Sequence, residues 1–309
     1  MDDTAPLVTD LVENITEQYP VHRAFLNQAI SGGTPEEITR LSKYLEFCLA
    51  KDLTLEYLAE CYLTILGDTL EEQLYFRDNG TYRHSTFDEV AESVYHDRDY
   101  MDRYMYGLAI TNFLWPNHLA MARFLRETLP RDRSGRYLEI GPGHGFLLLS
   151  ALEVGSFDEV LAVDLSAASV EQTRTIIDHF NPDAPARVEQ RDFLEAADLE
   201  PGSFDAIVMG EVLEHVEKPD VFLRRIAELA KDDAYIFVTT CINAPAVGPD
   251  GTVYGNSEDG RVYSIRQGGT LIEQRFLLQS LGAAYTPIAV DSSGRVYSMN
   301  GGVMTVIGQ

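Results

Sequence analysis

Three short stretches of the chain hold residues whose types and spacing can do chemistry. In Tyr137-Leu138-Glu139-Ile140-Gly141-Pro142-Gly143-His144-Gly145-Phe146 an acid precedes three glycines at alternate positions. Glycine there lets the backbone approach a ligand that a side chain would obstruct, at the turn where a strand gives way to a helix. Asp164 closes the next apolar run, where a carboxylate is placed to accept hydrogen bonds from ribose hydroxyls. The third stretch is Gly210-Glu211-Val212-Leu213-Glu214-His215. On one helical turn Glu211, Glu214 and His215, at i, i+3 and i+4, face together. They can then ligate a divalent metal, or present His215 as a general base to a hydroxyl nucleophile. A structural reading stays open beside these: Glu214 and His215 cap and orient the turn.

Such residues need strands and helices to aim them. From Arg136 onward, short apolar strands alternate with amphipathic helices, the layout of a doubly wound parallel sheet. The expected strands are Tyr137–Ile140, Glu159–Val163, Arg187–Gln190, Phe204–Met209 and Ala234–Thr239, with helices starting near Gly145, Ala167, Leu194 and Lys218. Before about Pro130 the pattern is helical, with apolar residues three and four apart in Leu41-Tyr44-Leu45-Cys48-Leu49. Gly33-Thr34-Pro35-Glu36-Glu37 and Asp52-Leu53-Thr54 read as helix starts, with a capping residue and nearby acids. Between Tyr75 and Trp115 aromatics interleave with arginines and histidines, as either a packing seam or a substrate lid. His118 follows the proline-marked start Trp115-Pro116-Asn117, where packing and substrate contact both remain open.

The ordered set Glu139-x-Gly141-x-Gly143-x-Gly145, Asp164-Leu165, Asp192-Phe193 and Phe204-Asp205-Ala206-Ile207 resembles the motifs of class I S-adenosylmethionine-dependent methyltransferases over about residues 136 to 245. The resemblance implies an α/β, Rossmann-like doubly wound sheet with S-adenosyl-L-methionine as cofactor. It implies that Gly141, Gly143 and Gly145 surround the methionine end, with Glu139 near its amino group. Asp164 with Leu165 would hold the ribose, Asp192 and Phe193 would frame adenine, and Glu211 would border the site. Carboxylates suit vicinal hydroxyls and an exocyclic amine, and an aromatic ring covers a purine face. A nicotinamide-binding loop is the rival reading, and the Asp192-Phe193 element has no part in that fingerprint. Glu211-x-x-Glu214-His215 resembles the same stretch in ubiquinone-pathway O-methyltransferases and small-RNA 2′-O-methyltransferases. The RNA enzymes complete a metal site with a later histidine, and this sequence has none after His215, so no metal is expected.

Composition narrows the partners. The net charge of -25 argues against phosphate-backbone contact, because nucleic-acid binding needs a basic stripe. A small-molecule substrate is expected, with neither nucleic acid nor membrane as partner. The N-terminal Met-Asp-Asp-Thr-Ala lacks the basic, then apolar, character of a signal peptide, so a cytoplasmic location is expected. Cys48, Cys61 and Cys241 sit in apolar contexts without metal-ligand spacing and read as buried thiols.

The expected division is a helical substrate or lid region at 1–130, a cofactor-binding domain at 131–246 and a β-rich tail at 247–309. In the tail, Gly248-Pro249-Asp250-Gly251-Thr252-Val253-Tyr254 recurs as Asp291-Ser292-Ser293-Gly294-Arg295-Val296-Tyr297, with Asp259-Gly260-Arg261-Val262-Tyr263 between them. Asp-Gly turns followed by Val-Tyr strands resemble blades of quinoprotein-type β-propellers, although a closed propeller needs about four or more blades. The tail is either such a fragment or the missing end of the sheet. In the second case Thr270–Leu281 is the last helix, and Tyr285–Val290, Arg295–Met299 and Val303–Ile307 are closing strands. Three functions fit this reading: methyl transfer, another use of the cofactor that releases methylthioadenosine, and a non-catalytic cofactor-binding scaffold.

Overall fold

The computed structural model describes residues 5–79, 98–216, 218–240, 246–247, 250, 252–256, 261–266, 270–276, 289–291, 293–300 and 303–308. The chain divides into two compact units, one of residues 1–67 with 86–239 and the other of residues 68–85 with 240–309.

The first unit opens with helices α1 (Ala5–Gln18), α2 (Arg23–Gly32), α3 (Pro35–Leu49) and α4 (Leu55–Asn79), the last running on into the second unit. Both expected helix starts are present. Thr34 Oγ1 accepts the Glu37 N–H, and the Glu37 carboxylate accepts the Thr34 N–H at 2.7 Å, a reciprocal cap on α3. Glu37 also receives two hydrogen bonds from Arg123, at 2.5 and 2.6 Å, and so ties the start of α3 to helix α6 (Pro116–Thr128). Thr34→Ala is expected to cost about 1 kcal/mol, seen as a fall of about 2–4 °C in Tm by calorimetry.

Five parallel strands follow: β1 (Arg136–Ile140), β2 (Glu159–Asp164), β3 (Ala186–Gln190), β4 (Phe204–Gly210) and β5 (Ala230–Thr239), in the order β3-β2-β1-β4-β5. They match the five expected strands to within a few residues. Alternate β1 residues serve two cores: Tyr137 lies in the larger cluster with Phe146, Leu149 and Ile176, whereas Leu138 and Ile140 join Phe193, Phe204 and Ile207 in the smaller one. Helices α7 (Phe146–Val154), α8 (Ala167–Phe180) and α9 (Pro219–Leu229) cover the sheet. Helix α5 (Arg98–Leu114) meets α8 where Gln172 donates to the Met105 carbonyl at 3.3 Å.

Two expectations are corrected. No helix starts near Leu194. Asp192 Oδ1 instead accepts the Leu194 N–H at 2.7 Å, which closes a side-chain turn that competes with helix, and Arg225 binds the Ala196 carbonyl at 2.9 Å. In the second unit, Thr270–Phe276 is strand β9 and not the last helix. Its residues pair antiparallel with Arg261–Arg266 (β8), Tyr263 opposite Gln274, so the backbone is satisfied by a neighbouring strand.

The tail strands form their own sheets. Ala246–Val247 (β6), Val253–Asn256 (β7), β8 and β9 make a four-stranded antiparallel sheet, and Ala289–Val290 (β10), Val296–Asn300 (β11) and Val303–Ile307 (β12) a three-stranded one. Among the described residues, no tail strand joins the parallel sheet as a closing strand. Asp291 organises the second repeat: its carboxylate accepts from Ser293, from Arg295 and from the Tyr297 hydroxyl. These bonds hold the Asp291 carboxyl well below its ordinary range.

Candidate active site

The site is built at the carboxyl ends of β1, β2 and β4, where open parallel sheets leave a crevice for ligands. Gly141, Gly143 and Gly145 all take left-handed backbone, with φ of +66°, +52° and +80°. Two of them are packed by the protein itself. A Cβ on Gly141 would come within 2.5 Å of Val212 Cγ2, and one on Gly145 within 3.1 Å of Thr173 Cα. Gly143 differs, because the nearest atom to a Cβ there is Leu108 Cδ2 at 4.0 Å. The space beside Gly143 is open, as a loop that receives a ligand requires.

Asp164 faces this loop from the end of β2. Oδ1 accepts the Ser166 N–H at 2.8 Å, and Oδ2 lies 3.4 Å from the Gly143 nitrogen. A carboxylate offers about four acceptor sites, so capacity remains for a ligand hydroxyl. Burial raises the Asp164 pKa to about 6, against the lowering effect of the backbone N–H groups of Ser166, Gly143 and Leu165.

Glu139 lies deeper, at 1% exposure beneath the loop, and its Oε2 accepts the Tyr137 hydroxyl. Burial pushes its pKa up to about 8, with Tyr137 and the Leu148 backbone acting in the opposite direction. It lies on β1, and the Leu148 backbone of the first turn of α7 is within its reach.

The Glu211–His215 segment does contact the glycine loop, through Val212 against Gly141. Its geometry is not the expected α-helical turn. Glu211 has φ of +53°, its N–H donates to the Thr239 carbonyl at 3.0 Å, and only Leu213–His215 form a 3-10 turn. The three side chains therefore do not share a helical face. His215 is exposed, and the side chain of Glu214 lies outside the described residues. Among the described residues no group of three or more His, Cys, Asp or Glu is arranged to hold a metal.

Asp192 and Phe193 follow β3, next to Asp164: the Arg191 N–H donates to the Asp164 carbonyl at 2.9 Å. Asp192 is half-buried at the edge. The Phe193 ring is not available to a purine. It is buried to 3% exposure in the smaller core, 5.6 Å from the Phe222 ring, because the turn at Leu194 points it inward. Leu165 and Leu194, on the two adjacent loops, are instead exposed, at 52% and 38%.

A family model described as a methyltransferase domain matches residues 116–272, half of the chain. The chain belongs to this methyltransferase-domain family. It is 33% identical over 121 residues to a ubiquinone biosynthesis O-methyltransferase of Xanthomonas campestris pv. campestris (strain B100), covering 39% of this chain and 48% of that protein. The corresponding protein of Xanthomonas euvesicatoria is 33% identical over 111 residues, with 36% and 45% covered. The chain thus spans about half the length of the curated relatives it matches. A solved SAM-dependent methyltransferase from Aquifex aeolicus is 19% identical at a TM-score of 0.35, covering 40% of this chain and 66% of that one.

In this methyltransferase domain the sequence pattern missed Leu194, Val212 and Thr239. Leu194 had a signal, an apolar residue directly after an Asp-Phe strand end. Val212 and Thr239 had none, since their roles depend on the left-handed backbone of Glu211. The aromatics and cations Tyr82, Arg83, His84, Phe87, Tyr95 and His96, and also Cys241, lie outside the described residues. Cys48 and Cys61 are buried free thiols.

Glu139 carries a pH signature. Its unfolded carboxyl ionises near 4.5 and its folded one near 8, so the folded domain holds a proton that the unfolded chain lacks. Stability from this group is present below 4.5 and is lost as pH rises toward 8. A cation held at the loop favours the ionised form, so titration of S-adenosylmethionine at pH 7 is expected to release a proton. Calorimetry in phosphate and in Tris measures this from the difference in buffer ionisation heat, and Glu139→Gln should remove it.

Proposed function

We propose that the chain is an S-adenosylmethionine-dependent methyltransferase acting on a small molecule, with a hydroxyl as the accepting group. One observation carries the reading: three left-handed glycines, with open space at Gly143, face a carboxylate, Asp164, that ends the neighbouring parallel strand. The O-methyltransferase names of the partial relatives favour oxygen as the accepting atom. When bound, S-adenosylmethionine supplies a methyl group already activated by the sulfonium, so in-line positioning provides much of the rate.

The chain's own residues divide the work. Gly141, Gly143 and Gly145 let the backbone close on the methionine end, and Glu139 beneath them offsets its positive charge. Asp164 accepts from the ribose, Asp192 reaches the adenine edge, and Leu165 and Leu194 supply apolar surface for the base in place of the buried Phe193 ring. Glu211, Glu214 and His215 border the acceptor, with His215 and Glu214 as candidates for acid–base work. Residues 131–246 then form the cofactor-binding domain, and residues 1–130 the substrate side.

The net charge of -25 supports a small-molecule acceptor over nucleic acid. The buried free thiols of Cys48 and Cys61 support a reducing compartment such as the cytoplasm. In the tail, the four consecutive antiparallel strands β6 to β9 support the reading of residues 247–309 as a propeller-like fragment.

The test is incubation of the full chain with S-adenosylmethionine and a panel of hydroxylated small molecules, with mass spectrometry of the products. S-adenosylhomocysteine with an acceptor 14 mass units heavier, about one CH₂, is the expected result. Methylthioadenosine in its place would replace methyl transfer by chemistry on the aminobutyrate chain.

A further inference from the structure

His118, near the start of α6, has hydrogen-bonding surroundings that bear on its chemistry. Thr111 Oγ1 donates its one proton to the Leu108 carbonyl at 2.8 Å, as a serine or threonine does toward the preceding turn. The same oxygen lies 3.1 Å from His118 Nδ1. With its proton on the Leu108 carbonyl, the Thr111 oxygen accepts from His118, an arrangement that assigns the His118 hydrogen to Nδ1. The lone pair is then on Nε2.

The ring is held in place as well. It packs against Trp115, 5.1 Å between centroids, and the Trp115 indole N–H is anchored on the Tyr62 hydroxyl at 3.0 Å. The same helix α5 that supplies Thr111 lays Leu108 beside the open space at Gly143. One turn of helix therefore connects His118 to the mouth of the glycine loop.

His144, within that loop, is fixed in the opposite sense. Its Nδ1 accepts the Phe146 N–H at 3.1 Å, which leaves Nε2 as its protonated nitrogen. Burial lowers both pKa values, His118 to about 4 and His144 to about 3, and His118 adds to the lowering at His144. Both rings are neutral at pH 7, one a fixed acceptor and the other a fixed donor.

We propose that His118 Nε2 receives the hydroxyl proton of the methyl acceptor, with Thr111 as the positioning residue that sets its tautomer. This inference rests on the methyl-transfer reading and adds a catalytic residue to it. In the step, the acceptor oxygen bonds to the methyl carbon as that carbon's bond to sulfur breaks. The electron pair stays on sulfur, and the proton passes to Nε2 and from there to water. The hydroxyl becomes acidic as its oxygen is alkylated, so the proton passes to the buried imidazole late in the step.

The experiment uses the full chain with two acceptors, catechol and 4-nitrocatechol, the second already ionised near neutral pH. His118→Ala is expected to lower kcat with catechol by about 10²–10⁴-fold, and with 4-nitrocatechol by less than tenfold, while S-adenosylhomocysteine affinity holds. A purely structural role would lower both rates equally, and that result overturns the proposal. Nitrogen-15 NMR of the protein without acceptor gives a second readout. His118 should appear as the Nδ1–H tautomer, and Thr111→Val should mix the tautomers; an Nε2–H signal in the wild type overturns the proposal whatever the acceptor. Loss of catechol turnover in His215→Gln with full activity in His118→Ala moves the base to His215 and overturns it too. Cofactor binding without turnover of any compound in the hydroxylated panel removes the hydroxyl acceptor, and the proposal with it. Absence of S-adenosylmethionine binding in the wild type would instead sink the methyl-transfer reading itself.

Discussion

Asp164→Ala is expected to weaken S-adenosylmethionine binding by about 10²–10⁴-fold, since two hydrogen bonds to a charged acceptor contribute about 1.5–3 kcal/mol each. The carboxylate already meets the backbone N–H groups of Ser166, Gly143 and Leu165, and ligand hydroxyls would share its remaining acceptor capacity. Alanine also deprives those N–H groups of a partner, so some stability is lost with the affinity. Asp164→Asn separates the two effects, as it keeps an acceptor for Ser166 but loses the charge. It should hold Tm within a few degrees and still bind weakly. Acid should mimic the substitution: with the folded pKa near 6, affinity falls as pH drops through that value. Unchanged affinity in both variants would remove Asp164 from the ribose site.

Gly145→Ala is expected to be the most damaging single change to the fold of the site. A left-handed residue with a side chain costs about 1–2 kcal/mol, and at φ +80° the new Cβ would lie 3.1 Å from the Thr173 Cα, a backbone atom that cannot swing away. The Thr173 hydroxyl also donates to the Gly143 carbonyl at 3.0 Å, so any shift of α8 pulls the loop with it. A loss of about 2–4 kcal/mol, read by urea unfolding, should accompany loss of cofactor binding. Gly143→Ala makes the contrast, since its Cβ meets nothing closer than 4.0 Å. It should retain most of the stability, within the left-handed cost, and lose binding, which would locate the ligand at Gly143.

The central strands β2 and β4 were legible because each is an apolar run bounded by polar turns. Burial on both faces leaves no competing pattern, as in Val160 to Val163, all nearly inaccessible. The glycine loop and Asp164 were legible for a related reason: each sits at the one position where a strand must end. What failed depended on partners distant in sequence. The turn at Leu194 rests on Asp192 and on Arg225. Strand β9 exists because Arg261–Arg266 lies beside it, a pairing that local periodicity does not report. The expected helical face of Glu211, Glu214 and His215 was lost to a single left-handed residue. The contact of His118 with Thr111, on the preceding helix, is likewise one that no spacing rule encodes.

The central claim, that this chain holds S-adenosylmethionine at its glycine loop, is tested most directly by calorimetric titration of the wild-type protein with S-adenosylhomocysteine, and in parallel with methylthioadenosine. The account predicts saturable binding of S-adenosylhomocysteine at one site per chain. It also predicts weaker binding of methylthioadenosine, which lacks the aminobutyrate group that the loop and Glu139 would receive. No saturable binding of either compound would contradict it, and equal affinity for the two would show that the glycine loop is not where the methionine end rests.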